Sequence, residues 1–136
     1  MTLFVDTSVW SLVWRRDDSS GAPEAIALRG ALDAGELVVT TGLVLQELLQ
    51  GFHGARAGEA IVERFAALPM LHPDRDDHVE AAAVRSVCRR KGVQLGTIDA
   101  LLAQLCIRHG LAMLTTDRDF AAAARHVPLK LWRTGH

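Results

Sequence analysis

The chain has only two cysteines, Cys88 and Cys106, and they form no C-x-x-C pair. A disulfide frame and a thiolate zinc site are therefore not indicated, and both residues read as small buried hydrophobes. The six histidines are scattered, with no pair at metal-ligand spacing on one helix face. His72 and His78 fall in a polar HPDRDDH turn, and no histidine is assigned chemistry. No apolar run is long enough to span a bilayer, and the N-terminal MTLFVDTSVW lacks a basic leader and carries an acid within its apolar stretch. A cytoplasmic protein without membrane contact is the expectation. A basic excess is also missing: the formal net charge is −1, whereas nucleic-acid binders usually carry a surplus of arginine and lysine. What basic residues there are cluster, Arg85, Arg89, Arg90 and Lys91 in one place and Arg15 with Arg16 in another. Arg85 and Arg89 share a helix face by their spacing, either as a solvated face or as a contact for phosphates.

What remains is globular. A chain of 136 residues with 49% hydrophobic and 23% charged content is expected to form one domain over 1–136 with a sizeable core, without internal repeat or long linker. Short apolar runs alternate with longer helical patterns, the signature of parallel strands joined by crossover helices. Strands are expected at Leu3–Val5, Leu37–Val39, Leu111–Leu114 and Leu129–Trp132. Helices are expected after Asp6 through Trp10 and Trp14, over Glu24–Ala34, Leu43–Gln50 and Ala57–Leu68, from Asp74 to Gly92, from Thr97 to Gly110, and briefly from Ala121. Thr7 or Ser8 is expected to cap the first of these, and Thr97 the helix beginning there. Residues 17–23 read as a loop. Trp10 and Trp14, one turn apart, suit a single buried stripe better than a base-stacking platform.

Against this background four acids stand at the edges of apolar segments: Asp6 in LFVDTSVW, Glu47 in LVLQELLQG, Asp99 in GTIDALLAQ and Asp117 in MLTTDRDF. Taken singly, Asp6 reads as a helix cap, Asp99 as a complement to a helix dipole, and Asp117 as a turn starter. Glu47 is harder to dismiss, because leucines flank it. Taken together, carboxylates converging from distant segments repel one another unless a cation joins them. In a parallel α/β sheet, ligands gather beyond the carboxyl ends of the strands, where Asp6 and Asp117 are expected. An all-oxygen donor set suits Mg²⁺ or Mn²⁺.

The four motifs F-V-D-T-S-V-W, L-V-L-Q-E-L, T-I-D-A-L-L-A and L-T-T-D-R-D-F, in this order, make the chain resemble the PIN-domain nucleases, and within them the small VapC-type toxins of toxin–antitoxin pairs. The resemblance runs nearly end to end. It implies a three-layer α/β/α sandwich with a short, mostly parallel central sheet, and a Mg²⁺- or Mn²⁺-dependent endoribonuclease that cuts a structured RNA such as tRNA or rRNA. Carried over position by position, it implies a catalytic set of Asp6, Glu47, Asp99 and Asp117, with Asp6, Asp99 and Asp117 as metal ligands and Ser8, Thr115 and Asp119 as accessory residues. It further implies a homodimer and a VapB-type antitoxin lying across an apolar groove, for which Trp10, Trp14, Leu48 and Phe52 are the candidate walls.

Other classes fit less well. A phosphoacceptor receiver domain wants an acid pair after the first strand and a lysine at a later strand end; here Thr7 follows Asp6, and the lysines are Lys91 and Lys130. A haloacid-dehalogenase-type phosphatase wants D-x-D, and Ser8 occupies the second acid's place. A noncatalytic PIN-like interaction module is the more serious alternative, because intact acids do not by themselves prove turnover.

Overall fold

In the computed structural model, which describes residues 2–14 and 21–133, Leu3–Val5 form the first strand, β1, with all three residues buried. It is followed by α1 (Thr7–Trp14), α2 (Pro23–Asp33), β2 (Val38–Thr41), α3 (Gly42–Gly51), α4 (Ala55–Ala66), β3 (Met70–Leu71), α5 (Arg75–Arg90), α6 (Thr97–His109), β4 (Ala112–Leu114), α7 (Arg118–Ala123) and β5 (Lys130–Leu131). Every strand pairing is parallel, and the strand order is β3-β2-β1-β4-β5. Five parallel strands flanked by seven helices among the described residues make a three-layer α/β/α sandwich. Parallel strands buried on both faces read as unbroken apolar runs, which is why LFV and AML alternate so little. No helix among the described residues is long and apolar enough to cross a membrane.

This strand order has a functional consequence. The chain builds outward from β1 through β2 to β3, then crosses back so that β4 lies on the other side of β1. Crossovers diverge at that reversal and leave a crevice beyond the carboxyl ends of β1 and β4. Leu3, Phe4 and Val5 register with Ala112, Met113 and Leu114, and the Asp6 amide donates to the Leu114 carbonyl at 2.9 Å. The register therefore brings the end of TTD beside Asp6.

The core sits on both sides of the sheet. In α6 every residue from Ala100 to Cys106 is buried, so this helix is enclosed by the sheet and α5, and left-handed Gly110 ends it with φ 63°. That conformation costs a side-chain-bearing residue more than glycine. On the other side Trp10 is fully buried, stacks on Trp14 with ring centres 5.2 Å apart, and meets Phe65 of α4 at 5.0 Å. With Trp10 at 0% and Leu48 at 1% exposure, neither is available as a groove wall. Their large apolar side chains contribute more to folding than a surface site would leave available. Among the described residues the buried Trp10 Nε1 and Thr40 Oγ1 have no hydrogen-bond partner.

Several boundaries differ from the sequence expectation for local reasons. β2 runs on to Thr40 and Thr41, which are buried, while Leu37 is 52% exposed and lies outside it. Thr41 then caps α3 by accepting from the Val44 amide at 3.2 Å. Gly96, not Thr97, is the N-cap of α6, without a side-chain cap bond. β3 was not expected, because two residues after Pro69 carry no periodicity; it pairs with Thr40 and Thr41 at the sheet edge. α7 starts at Arg118 rather than Ala121 because the Asp117 side chain accepts from the Asp119 amide. The expected Arg15–Arg16 basic spot and most of the 17–23 loop lie outside the described residues. Arg85 of the other basic cluster is committed to the fold, its Nε donating to the Leu95 carbonyl at 3.0 Å.

Candidate active site

Asp6 follows β1 directly and is 6% exposed, so its carboxylate needs compensation. Two hydroxyls supply part of it. Ser8 Oγ donates to Asp6 Oδ2 at 2.8 Å, and Thr115 Oγ1 donates to the same oxygen at 2.9 Å. Both bonds fall on one oxygen and hold the carboxylate in a fixed plane. Backbone amides close the network: Thr116 N donates to Ser8 Oγ at 3.1 Å, and Asp117 N donates to Thr115 Oγ1 at 3.0 Å. The hydroxyls of residues 7 and 8, expected as helix caps, are engaged with acids instead. Thr7 Oγ1 donates to Glu47 Oε1 at 2.9 Å, tying the second turn of α3 to the start of α1. Sequence reading missed this role of Thr7. Its only signal was a run of hydroxyls beside Asp6, which looks the same as a cap.

Asp117 follows β4 and does two things. Its Oδ1 accepts the Asp119 amide at 2.9 Å, so the turn role foreseen for it is real, and its half-buried position keeps it at the crevice. Asp119 itself is exposed. Asp99 is the third residue of α6, where a helix N-terminus favours negative charge. Even so, its carboxyl is pushed up to about 6, first by burial and then by the charges of Asp6, Asp117, Glu47 and Asp119 in that order. One carboxyl therefore senses every other acid singled out in the sequence, which requires all of them to lie within electrostatic reach of it.

The donors are hard oxygens, the chemistry Mg²⁺ or Mn²⁺ prefers, and the raised Asp99 carboxyl records a repulsion that a cation would relieve. Among the described residues no three acidic, histidine or cysteine side chains already stand as a closed metal cluster. That is compatible with Mg²⁺, which commonly keeps several waters and takes one or two carboxylates. The cysteines take no part. Both are buried free thiols, and burial raises both, Cys106 far more than Cys88, with the nearby Asp6 charge adding to the effect on Cys106. A larger apolar groove of about 500 Å³ between α3, α5 and α6 contains none of the acids, whereas a cavity of about 360 Å³ beyond β4 and β5 includes Asp117 and Thr115.

Comparison with known proteins bears on the family and the fold. The PIN domain family matches residues 3–126. The chain is 30% identical over 125 residues to the VapC ribonuclease Mb1587 of Mycobacterium bovis, covering 90% of this chain and 92% of that protein. Among solved structures, the sarcin–ricin-loop-cleaving toxin VapC20 of Mycobacterium tuberculosis superposes with a TM-score of 0.68 at 26% identity, over 94% of this chain and 98% of that one. VapBC2 of Rickettsia felis, solved on a promoter DNA fragment, superposes with a TM-score of 0.73 at 18% identity, over 97% and 98% of the two chains, and shows the shared fold. Parallel topology, the acids around the β1/β4 crevice and near full-length similarity lead to one assignment: the chain belongs to the PIN-domain family, in its VapC ribonuclease branch.

Proposed function

We propose that the protein is a Mg²⁺- or Mn²⁺-dependent endoribonuclease, the toxin of a toxin–antitoxin pair, acting on a structured RNA such as tRNA or rRNA. The observation that carries the reading is the register of β1 with β4, which sets Asp6, held by Ser8 and Thr115, beside the segment bearing Asp117; burial and then Asp6, Asp117, Glu47 and Asp119 raise the nearby Asp99 carboxyl to about 6. An ion-pair scaffold would have supplied cations for such acids; among the described residues the compensation is two hydroxyls on Asp6 and one on Glu47.

Asp6, Asp99 and Asp117 would hold the ion, directly or through water. A divalent ion in that place supplies a more acidic bound water and neutralises charge on the scissile phosphate. The chain's own contribution is orientation. Ser8 and Thr115 keep Asp6 in one plane, and Thr7 holds Glu47 by one oxygen, so that its other oxygen can orient the attacking water and accept its proton. The water oxygen bonds to phosphorus, the 3′ oxygen leaves and takes up a proton, and the products carry 5′-phosphate and 3′-hydroxyl ends. No covalent enzyme intermediate is needed.

Family membership supports a VapB-type antitoxin as the partner, since VapBC complexes are among the similar structures. It also supports a homodimer in the cytoplasm. The apolar groove between α3, α5 and α6, where Leu43, Ala82, Ile98 and Leu101 line a cavity of about 500 Å³, offers a surface for such a contact.

The test is incubation with total bacterial RNA, with Mg²⁺ and with excess chelator, followed by mapping of fragment 5′ ends. Discrete cuts that vanish with chelator are expected. Absence of cutting with every metal and with natively folded ribosomes and tRNA would favour the noncatalytic module. Thr115→Val is a finer probe, because it keeps the β-branched shape but removes the donor to Asp6 and the acceptor for the Asp117 amide. Cleavage should fall about tenfold and stability by about 1 kcal/mol. Unchanged cleavage would remove Thr115 from the positioning network.

A further inference from the structure

The cavity of about 360 Å³ beside Asp117 has a composition the acid cluster does not explain. Glu24 from the first turn of α2, Arg118 from α7, and Trp132 and Arg133 after β5 line it together with Asp117. Its size is at the small end of ~300–1,000 Å³, the usual range for ligand clefts. A group lying in it shares a wall with one candidate metal ligand, Asp117.

Its two arginines are uncommitted among the described residues. Arg108 bridges Asp74 and Asp77, and Arg85 is bonded to the Leu95 carbonyl. Arg118 and Arg133 are exposed and form no ion pair among the described residues. Two free guanidiniums at the edge of an acid-rich crevice do little for folding, but they suit phosphate oxygens on either side of a nucleotide. Trp132 supplies the second element. Its amide donates to the Met113 carbonyl at 2.9 Å, and its half-buried side chain packs against the core while lining the cavity. A ring packed against the core and bordering the cavity could serve as a stacking surface with its ordering cost largely met by folding. Glu24 supplies the third. A carboxylate only accepts, and it offers two parallel acceptors. Among the four RNA bases, guanine alone presents two neighbouring donor groups, N1–H and N2–H, on its Watson–Crick edge.

We propose that this cavity is a nucleotide subsite holding one unpaired guanosine of the RNA beside the scissile phosphate, its base stacked on Trp132, its Watson–Crick edge donating to Glu24, and Arg118 and Arg133 holding the flanking phosphates. This rests on the ribonuclease reading above. It explains how a chain of net charge −1 engages RNA: recognition of an unstacked base in a loop, with a few placed arginines, replaces a general basic surface.

The experiment is binding of labelled single-stranded hexaribonucleotides to the full chain in excess chelator, so that metal and cleavage play no part. One probe carries a single central guanosine among uridines, a second carries inosine there, and a third is all uridine. The guanosine probe should bind about tenfold tighter than the all-uridine probe, with inosine losing most of that advantage because it lacks the N2 amine. Glu24→Gln should collapse the guanosine preference while leaving uridine binding alone. Trp132→Ala should weaken all three probes about tenfold and Trp132→Phe should restore them, which separates stacking from loss of fold. Arg133→Ala should weaken all three alike and lower the slope of affinity against salt by about one.

Equal affinity for guanosine and uridine probes, no measurable binding of any probe, or an unaltered preference in Glu24→Gln would each overturn the subsite. The two readings fail separately. Guanosine-selective binding by a protein that cuts no RNA would end the nuclease reading and leave the subsite. Metal-dependent cutting with no guanosine near the mapped ends would do the reverse.

Discussion

Asp99→Asn is expected to abolish RNA cleavage and, in metal-free protein near neutral pH, to raise the melting temperature. The two effects share one cause. Asp99 titrates near 6, above its ordinary value of 3.8, because burial and then Asp6, Asp117, Glu47 and Asp119 oppose its charge. A folded-state value above the unfolded one means that the native state binds the proton more tightly. The stabilisation this provides is complete below about pH 4 and is lost as pH rises through about 6. At pH 7 the ionised residue therefore costs stability, roughly 1–2 kcal/mol once solvent screening at this partly exposed site is allowed for. Asparagine removes that cost and flattens the decline in stability between pH 4 and 7. It also removes a candidate metal ligand, so cleavage should fall at least about 10³-fold, or about 4 kcal/mol in barrier. Thermal melts from pH 4 to 7.5, with and without Mg²⁺, check both. Added metal should stabilise the wild type more than the variant, and wild-type cleavage by folded Asp99→Asn would refute the role assigned to it.

The largest loss of stability should come from a different acid. Asp77 is 1% exposed at the start of α5, where it closes a reciprocal capping box: its amide donates to Asp74 Oδ1 and its Oδ2 accepts the Asp74 amide, both at 2.9 Å. Arg108, one residue from the end of α6, donates to Asp77 at 2.5 Å and lies 3.2 Å from Asp74, joining the N-terminus of one helix to the C-terminus of its neighbour. The Asp77 amide, followed in weight by the opposing effect of burial and then by the Arg108 charge, leaves the Asp74 carboxyl below its usual range. Support from Asp74 is therefore present at neutral pH and lost as pH falls through its lowered value. Asp77→Ala removes the box and the shorter ion pair together and should destabilise by about 2–4 kcal/mol, since a buried carboxylate is lost from a pair whose exposed Arg108 keeps Asp74. Arg108→Ala strands the buried Asp77 carboxylate and should cost a similar amount, with the double variant well short of the sum. Denaturant titration measures all three. A loss below about 1 kcal/mol in Asp77→Ala would mean that the box and bridge are held by packing rather than holding it.

These two acids show where the chain is legible from its letters and where it is not. Asp77 and Asp99 each sit in the first turn of a helix, and by spacing both read as dipole complements. One is a buried strut and the other a member of the candidate metal site; the difference is what lies opposite. Asp77 faces a guanidinium delivered by α6, whereas Asp99 faces four carboxylates delivered by β1, α3 and the segment after β4. The same holds for hydroxyls. Thr7, Ser8 and Thr41 are all plausible caps, and Thr41 is one, accepting from the Val44 amide, but the Thr7 and Ser8 hydroxyls are placed where they donate to Glu47 and Asp6.

Strand and helix order, the alternation that demands a parallel sheet, the order of the four acidic motifs and the burial of both cysteines follow from local pattern and composition, because apolar periodicity and turn residues act over a few positions at a time. The two-residue β3, the Thr7–Glu47 and Arg108–Asp77 links, and the gathering of Glu24, Arg118 and Trp132 around one cavity do not. They depend on which strands become neighbours. The return of the chain from β3 across the sheet to β4 sets Asp117 and Thr115 beside Asp6, some 110 residues away. Contacts of that separation are selected by burial of the whole core rather than by any short stretch of residues.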